Sequence, residues 1–185
     1  MLALKQPYET FMNNMTIRSV TAEDLDALQT ISRQTFLETF AASNTAENMN
    51  QYLEKRFSKE ALAAELANPH TTFYFAELDG QTIGYLKLNF GPSQTELKDD
   101  KALEIERIYV LKDFQGKKVG QLLYEKGIEI AKEKDVDYVW LGVWENNEKA
   151  INFYKKWGFV EFHKHLFQLG NDAQTDIMMK LQLKA

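Results

Sequence analysis

The stretch Phe114–Leu123, which reads FQGKKVGQLL, joins a strand-like apolar run to the start of a long amphipathic helix pattern. Gly116 and Gly120 flank this turn, and glycine allows a backbone to come close to a ligand. The first N–H groups of a helix lack intrahelical partners and lie at the positive end of its dipole, so they favour an anion such as a pyrophosphate. Lys117 and Lys118 add positive charge. Taken alone, the same letters also fit an ordinary loop before an ordinary helix.

A second stretch further along the chain favours the ligand-binding interpretation. It is Asn147–Phe159, which reads NEKAINFYKKWGF. Gln115–Gly120 resembles the acetyl-CoA signature (Q/R)-x-x-G-x-(G/A) of the GNAT family of N-acetyltransferases. The second stretch resembles that family's other signature, N-x-x-A-x-x-F-Y-x-x-x-G-F. Lys118 departs from the first signature, because it stands where the family usually has glycine.

The resemblance covers essentially residues 16–183, and it is closest to the PaiA-type spermine/spermidine acetyltransferases of that family. The runs that carry this closer likeness are TFLETFAASNTAENMNQYLEKRF, LEIERIYV, WLGVWENNEKAINFYKKWGF and QTDIMMK. The resemblance implies an α/β (α+β) GNAT fold, in which helices flank both faces of a central mixed, mostly antiparallel sheet. It also implies acetyl-CoA as the cosubstrate. The residues that it assigns to cosubstrate binding are Ile108, Tyr109, Val110, Gln115, Gly116, Lys117, Lys118, Val119, Gly120, Gln121, Asn147, Ala150, Phe153 and Tyr154.

The residues alone predict an order of elements that suits one mixed sheet. Apolar spacing and turn signals give βααα-ββ-β-α-β-α-ββ, and capping residues place helix starts near Thr21, Thr45 and Ser58. We find neither a repeat nor a linker, so one domain is expected over residues 15–185. Residues 1–14 are interpreted as an N-terminal extension, because Met15 is an alternative start.

Composition restricts the possible functions. The 185 residues are 44% hydrophobic and 26% charged, as in an ordinary soluble domain. The net charge of −5 argues against nucleic acid as a partner, because a phosphate backbone binds basic surfaces. No apolar run approaches the length of a membrane span and no signal peptide is recognisable, so no membrane partner and a cytoplasmic location are expected.

The chain contains no cysteine, which excludes a thiol nucleophile and a cysteine-based zinc site. His163 and His165 lie two apart in a predicted strand and therefore share a face. Because no third ligand is evident, no metal site is predicted.

Two carboxylates in a predicted central strand are the candidate general bases. An aliphatic amine has a pKa of about 10, so it arrives protonated and must lose a proton before it can attack a thioester. Glu104 and Glu106 share a strand face, and buried carboxylates are costly unless they are paired or functional. The alternatives are a salt bridge to Arg107 and an exposed strand end. Because the corresponding strand of the resembled family lines the acetyl site, the functional role is favoured for Glu106 and left open for Glu104.

Other roles in the transfer follow from the resemblance. It implies that backbone N–H groups freed by a bulge, near Ile108 and Val110, stabilise the oxyanion, and that Tyr154 protonates the leaving thiolate. The alternative for Tyr154 is a core aromatic residue beside Phe153. Asn147 is expected to contact the cosubstrate, to cap the following helix, or to do both. Without a cysteine nucleophile, direct transfer in a ternary complex is expected.

The acceptor site is the least determined part. Its candidates are Phe36, Phe40, Trp144 and Asp176, although the spacing of the two phenylalanines also suits plain core and Asp176 also suits a turn cap. The expected acceptor is a small-molecule primary amine, with spermidine or spermine favoured. Protein N-termini, ribosomal proteins and antibiotic amines are alternatives, and a non-catalytic CoA-binding regulatory module is an alternative of another class. Both a monomer and a homodimer are compatible with the sequence.

Overall fold

Helices and strands follow one another along the chain in the predicted order. The structure is a computed structural model, and it describes residues 14–169 and 172–184. The strands are β1 (Met15–Ser19), β2 (Thr71–Leu78), β3 (Gln81–Phe90), β4 (Ala102–Val110), β5 (Tyr138–Trp144), β6 (Val160–Leu169) and β7 (Asp172–Gln182). The helices are α1 (Leu25–Phe40), α2 (Ala46–Arg56), α3 (Lys59–Leu66), α4 (Val119–Glu133) and α5 (Glu148–Lys156). Apart from Asn14, the predicted extension 1–14 lies outside the described residues.

The strands form one seven-stranded sheet in the order β1-β2-β3-β4-β5-β7-β6. Only the β4–β5 pair is parallel among the described strands. Side chains alternate between the two faces: Tyr74 and Ala76 pack with α4 and α5, whereas Phe73 and Phe75 pack with α1, α2 and α3. The predicted mixed, mostly antiparallel sheet with helices on both faces is therefore confirmed.

Polar side chains start several helices at the predicted places. The side chains of Thr45, Ser58 and Asn147 accept hydrogen bonds from backbone N–H groups in the first turns of α2, α3 and α5. Thr21 and Asp24 form a reciprocal capping box, but it opens a short 3-10 turn, and α1 itself begins at Leu25. Within the described part of the chain, no helix is long and apolar enough to cross a membrane.

The sheet opens between its two parallel strands. Ala102–Glu104 pair with Tyr138–Trp140, and the pairing of β4 with β5 ends there, although β4 continues to Val110 and β5 to Trp144. We call this opening the fork. Because backbone N–H and C=O groups need partners, the facing edges of the fork are suited to receive a ligand.

A β-bulge shapes the β4 side of the fork. Lys87 lies opposite Arg107 and Leu88 opposite Ile105, so Glu106 is the extra residue of the β4 strand. A bulge bends its strand and re-aims the side chains next to it. The bulge that the resemblance implied is therefore present, immediately beyond the last residue that pairs with β5.

Candidate active site

A cleft of about 420 Å³ lies at the fork. Its walls come from β4 and β5, from α1 and α2, and from the β6–β7 hairpin, with the start of α5 at one end. The predicted site residues that line it are Phe36, Phe40, Glu104, Glu106, Ile108, Tyr109, Trp144, Asn147, Ala150, Tyr154 and Asp176. The structure thus brings the predicted base, acid and acceptor residues to one cavity.

Glu104 lies where the fork begins and is almost fully buried, with 2% of its surface exposed. Its carboxylate accepts hydrogen bonds from the backbone N–H of Thr95 (2.9 Å), from the Thr95 hydroxyl and from the Asn89 amide (2.9 Å). Burial raises the pKa of Glu104, and the negative charge of Glu106 raises it further, although these hydrogen bonds act in the opposite direction. A buried carboxylate with a raised pKa is suited to accept a proton near neutral pH.

Glu106 lies among cations. Its carboxylate is 2.6 Å from Lys87 Nζ, 3.0 Å from Arg107 Nη2 and 3.1 Å from Arg56 Nη2. Glu65 on α3 also pairs with Lys87 and Arg107, and we call these five side chains the ion cluster. Burial alone would raise the pKa of Glu106, but Arg107, Lys87 and Arg56 together hold it well below the usual range of a carboxyl group.

The two glutamates therefore have different environments. The salt bridge to Arg107, which the sequence left open for either of them, is formed by Glu106. A carboxylate with a strongly lowered pKa is a weak base, so the geometry favours Glu104 over Glu106 for accepting a proton. The residues still share a face, as predicted, since the Asn89 amide donates to both carboxylates.

Tyr154 reaches the cleft from α5, with 6% of its surface exposed. Burial raises its pKa above the usual range of a phenol, so the hydroxyl keeps its proton at any working pH. Phe153 lies behind the cleft wall in a group of aromatic rings, with ring centroids 5.9 Å from Tyr124 and 5.4 Å from Tyr154. Its geometry is that of a packing residue for Tyr154.

The segment from Gln115 to Gln121 forms the turn between β4 and α4. Gly116 has φ +78° and Lys118 has φ +65°, so both adopt the left-handed conformation. The first helical bond runs from Leu122 N to Lys118 O (3.1 Å), which leaves the N–H groups of Val119, Gly120 and Gln121 ahead of it. The family glycine that Lys118 replaces therefore falls at a left-handed position, where a side chain costs about 1–2 kcal/mol.

Hydrogen bonds connect the turn that carries predicted cosubstrate residues to β4 and to α5. The Gln115 side chain donates to Val110 O (3.2 Å) and accepts from Lys149 Nζ (2.8 Å). Asn147 Oδ1 accepts from Ala150 N (3.1 Å), so the expected helix cap is confirmed and Asn147 still lines the cleft. Both helix starts therefore lie beside the same end of β4.

Aromatic rings line the acceptor side of the cleft. Phe36 stacks on Tyr52 with ring centroids 4.5 Å apart, and Phe40 lies 5.9 Å from Trp144. Phe167 of β6 packs edge-on against Tyr52 at 5.6 Å. Phe36 and Phe40 are buried in the core under α1, as the plain-core alternative expected, and both also line the cleft, where acceptor binding by them stays a prediction.

Acidic groups meet at the hairpin end of the same wall. Asp176 of β7 lies opposite both Trp144 and His165 in the sheet. His165 Nε2 is 3.9 Å from Asp176 Oδ2 and 4.0 Å from Glu96 Oε1, beyond hydrogen-bond distance of either carboxylate. Burial raises the pKa of Asp176 to about 6, His165 lowers it and Glu145 raises it.

Several residues of the site were not assigned to it from the sequence. Tyr52, Phe167 and His165 line the cleft, and Asn89 contacts both glutamates from β3. Asn89 had a signal of its own, because Lys87 and Asn89 are polar residues two apart in an apolar strand, as Glu104 and Glu106 are. Within the described ranges, no group of three or more acidic or histidine side chains is arranged to hold a metal ion.

Comparisons with known proteins identify the family and the fold of the chain. The model of the acetyltransferase (GNAT) family matches residues 27–159. The chain is 43% identical to the "Uncharacterized N-acetyltransferase in pepI 3'region" of Lactobacillus delbrueckii subsp. lactis, over 93% of this chain and 99% of that protein. It is 27% identical to the "Spermidine N(1)-acetyltransferase" of Thermoplasma acidophilum, over 79% and 88%. The crystal structure of the PaiA N-acetyltransferase from Thermoplasma acidophilum in complex with coenzyme A superposes with a TM-score of 0.75 at 24% identity, over 91% and 98%.

Proposed function

The chain belongs to the GNAT family of acetyltransferases, and from that premise we propose that it acetylates a primary amine of a polyamine such as spermidine or spermine. It is an enzyme that uses acetyl-CoA as its cosubstrate. The observation that carries the proposal is the position of Glu104, where the fork opens onto a cleft with an aromatic and acidic end. A cytoplasmic location and a monomeric or homodimeric state stay predictions.

The turn before α4 and the fork fit a cosubstrate that carries both a diphosphate and a thioester. The leading N–H groups of α4, with Lys117 and Lys118 beside them, suit the diphosphate. The edge of β4 between Ile108 and Val110, which does not pair with β5, suits the amide-rich arm, and a backbone N–H there would stabilise developing negative charge on the carbonyl oxygen. Asn147 and Ala150 line the cleft from the other side of this edge.

Glu104 is the proposed general base. The amine arrives as an ammonium ion, and its proton passes to the Glu104 carboxylate directly or through a water molecule. A carboxylate has about four lone-pair positions, and three donors from Asn89 and Thr95 occupy three of them. One position is therefore left for the amine or the water. Glu106 would act on the reaction through its charge, which raises the pKa of Glu104.

Tyr154 is the proposed general acid. Its phenol stays protonated because of burial, and its side chain lines the cleft from α5. It would protonate the thiolate of the leaving coenzyme. Since the chain has no cysteine, the acetyl group would pass directly from the thioester to the amine nitrogen in a ternary complex.

A polyamine suits the remainder of the cleft. Its methylene segments would lie along Phe36, Phe40, Tyr52 and Trp144, and aromatic faces attract ammonium groups. Asp176 and Glu96 would neutralise a second ammonium group at the hairpin end. The name of the Thermoplasma acidophilum relative supports the same acceptor class.

The test measures thiol release from acetyl-CoA with a panel of amines: spermine, spermidine, putrescine, lysine peptides, N-terminal peptides and aminoglycosides. Saturable turnover of spermidine or spermine, with the rate lowered about 10²- to 10⁴-fold in Glu104→Gln, is expected. Glu54→Gln, at an exposed carboxylate that pairs with Arg33, serves as the control and should leave the rate unchanged.

Other results would change the assignment. Turnover with peptides or aminoglycosides but not with polyamines would refute the acceptor and keep the transferase. If no amine of the panel is turned over although acetyl-CoA still binds, the result would point to a macromolecular acceptor or to a non-catalytic CoA sensor.

A further inference from the structure

A polar row crosses the sheet beneath the cleft. Thr71 of β2 lies opposite Asn89 of β3, and Asn89 lies opposite Glu104 of β4. All three side chains are buried, and Asn89 has only 1% of its surface exposed. A buried side-chain amide is costly unless its donors and acceptor are satisfied, so the contacts of Asn89 define what it does.

The orientation of the Asn89 amide follows from its neighbours. Its oxygen accepts from the Thr71 hydroxyl (3.0 Å), and its nitrogen donates to Glu104 Oε2 (2.9 Å) and to Glu106 Oε2 (2.6 Å). The opposite orientation would direct an oxygen atom at two carboxylates, which is repulsive. Both N–H donors and the oxygen are therefore used, and each N–H serves one carboxylate.

We infer that Asn89 is a positioning residue of the reaction, which holds the Glu104 carboxylate in place for proton transfer and joins it to Glu106. The inference rests on the proposed role of Glu104 as the base. Asn89 contacts the base from below the cleft and is not itself on the cleft wall, so it acts through Glu104.

The two carboxylates would otherwise repel each other in a buried site. Burial and the charge of Glu106 both favour the protonated form of Glu104, whereas the amide donor of Asn89 favours the ionised form. Without that donor, Glu104 needs a higher pH to lose its proton and is freer to turn. A side chain that only fills space would affect folding and rate, but not the pH at which the base ionises.

The test compares Asn89→Leu with the parent in the pH profile of kcat/KM for the acceptor amine. The acidic limb is expected to move to higher pH by about one unit, because a hydrogen bond to a charged group is worth at least that much. The KM for acetyl-CoA should not change, and the rate should recover at alkaline pH. Carbon NMR titration of the Glu104 carboxyl should show the same upward shift of its pKa.

Two further variants keep the test decisive if Asn89→Leu folds poorly. Thr71→Val removes only the hydroxyl that orients the amide, so it should move the acidic limb in the same direction by a smaller amount. Thr72→Val is the matched control: the Thr72 hydroxyl is buried without a hydrogen-bond partner among the described residues, so its removal should leave the profile unchanged.

Failure of the inference can be told apart from failure of the proposed function. Unshifted limbs in folded Asn89→Leu and Thr71→Val, with Glu104→Gln inactive, would overturn the role of Asn89 and keep Glu104 as the base. Full activity of Glu104→Gln would instead refute the base assignment. The NMR titration needs no turnover, so an unchanged Glu104 pKa in Asn89→Leu would overturn the inference whatever the acceptor is.

Discussion

Replacing Glu106 by Gln removes one of the two negative charges of the ion cluster while keeping the shape of the side chain. Glu106 is 11% exposed, and its partners Lys87 and Arg107 are 4% and 5% exposed, so the lost pairing is a buried one. Removing one partner of a buried pair typically costs about 3–5 kcal/mol. Glu65 still pairs with both cations, at 2.8 Å and 3.0 Å, so we expect the lower end, about 3 kcal/mol.

The assay is thermal unfolding followed by circular dichroism, without cosubstrate. For a chain of this size a loss of about 3 kcal/mol lowers Tm by about 6–12 °C. Glu161→Gln is the control, because it alters a surface pair with Lys155 and should leave Tm unchanged. A Tm of Glu106→Gln within about 2 °C of the parent, which corresponds to less than about 1 kcal/mol, would refute the reasoning.

The same variant has a pH signature. The pKa of Glu106 is lowered on folding, because the three cations outweigh the opposing effect of burial. A lowered pKa contributes stability that is fully present above the unfolded value of about 4.3 and is lost as the pH falls below it. The difference in unfolding free energy between parent and variant should therefore be constant near neutral pH and shrink in acid.

Four further variants, of which Lys117→Gly is a control, test other parts of the site. Tyr154→Phe should slow transfer about 10²- to 10⁴-fold without weakening CoA binding by calorimetry, and a parent-like rate at every pH would disprove the acid role. Lys118→Gly should raise the unfolding free energy by about 0.5–1 kcal/mol, because glycine adopts the left-handed backbone conformation at this position without the steric cost of a side chain. Lys117→Gly, at a residue without positive φ, should not raise the unfolding free energy. In the parent, KM for spermidine should rise as the pH falls through about 6, where Asp176 becomes protonated. Asp176→Asn should show a KM raised about 10-fold that no longer depends on pH in this range, and a pH-dependent KM in that variant would exclude Asp176.

Local chemistry made most of the fold predictable. Thr45, Ser58 and Asn147 cap helices where short polar side chains precede apolar periodicity, and Asp79-Gly80, a common hairpin-turn pair, joins β2 to β3. These signals act over a few neighbouring residues, so they can be read from one sequence. The two signatures also located the turn before α4 and the start of α5.

The division of roles between Glu104 and Glu106 was not accessible in this way. Both are glutamates in one strand, and their environments differ because residues from different, distant parts of the chain contact them. Arg56 and Lys87 approach Glu106 from α2 and β3, whereas the polar groups on Glu104 include Thr95 from a loop. The packing of whole helices and strands determines these partners, and the spacing of residues along the chain does not reveal that packing. The separate roles of the two carboxylates therefore had to come from the structure.

The fork also has a consequence for the lifetime of the protein. A strand edge that pairs with no other strand exchanges its amide hydrogens readily and can pair with strands of other molecules, which leads to aggregation. In this protein two such edges, one of β4 and one of β5, face each other at the fork. A ligand bound in the fork would cover them, and at a concentration a hundredfold above its Kd it would add about 2.7 kcal/mol to the stability of the folded state. We therefore expect saturating acetyl-CoA to slow proteolysis of the folded protein.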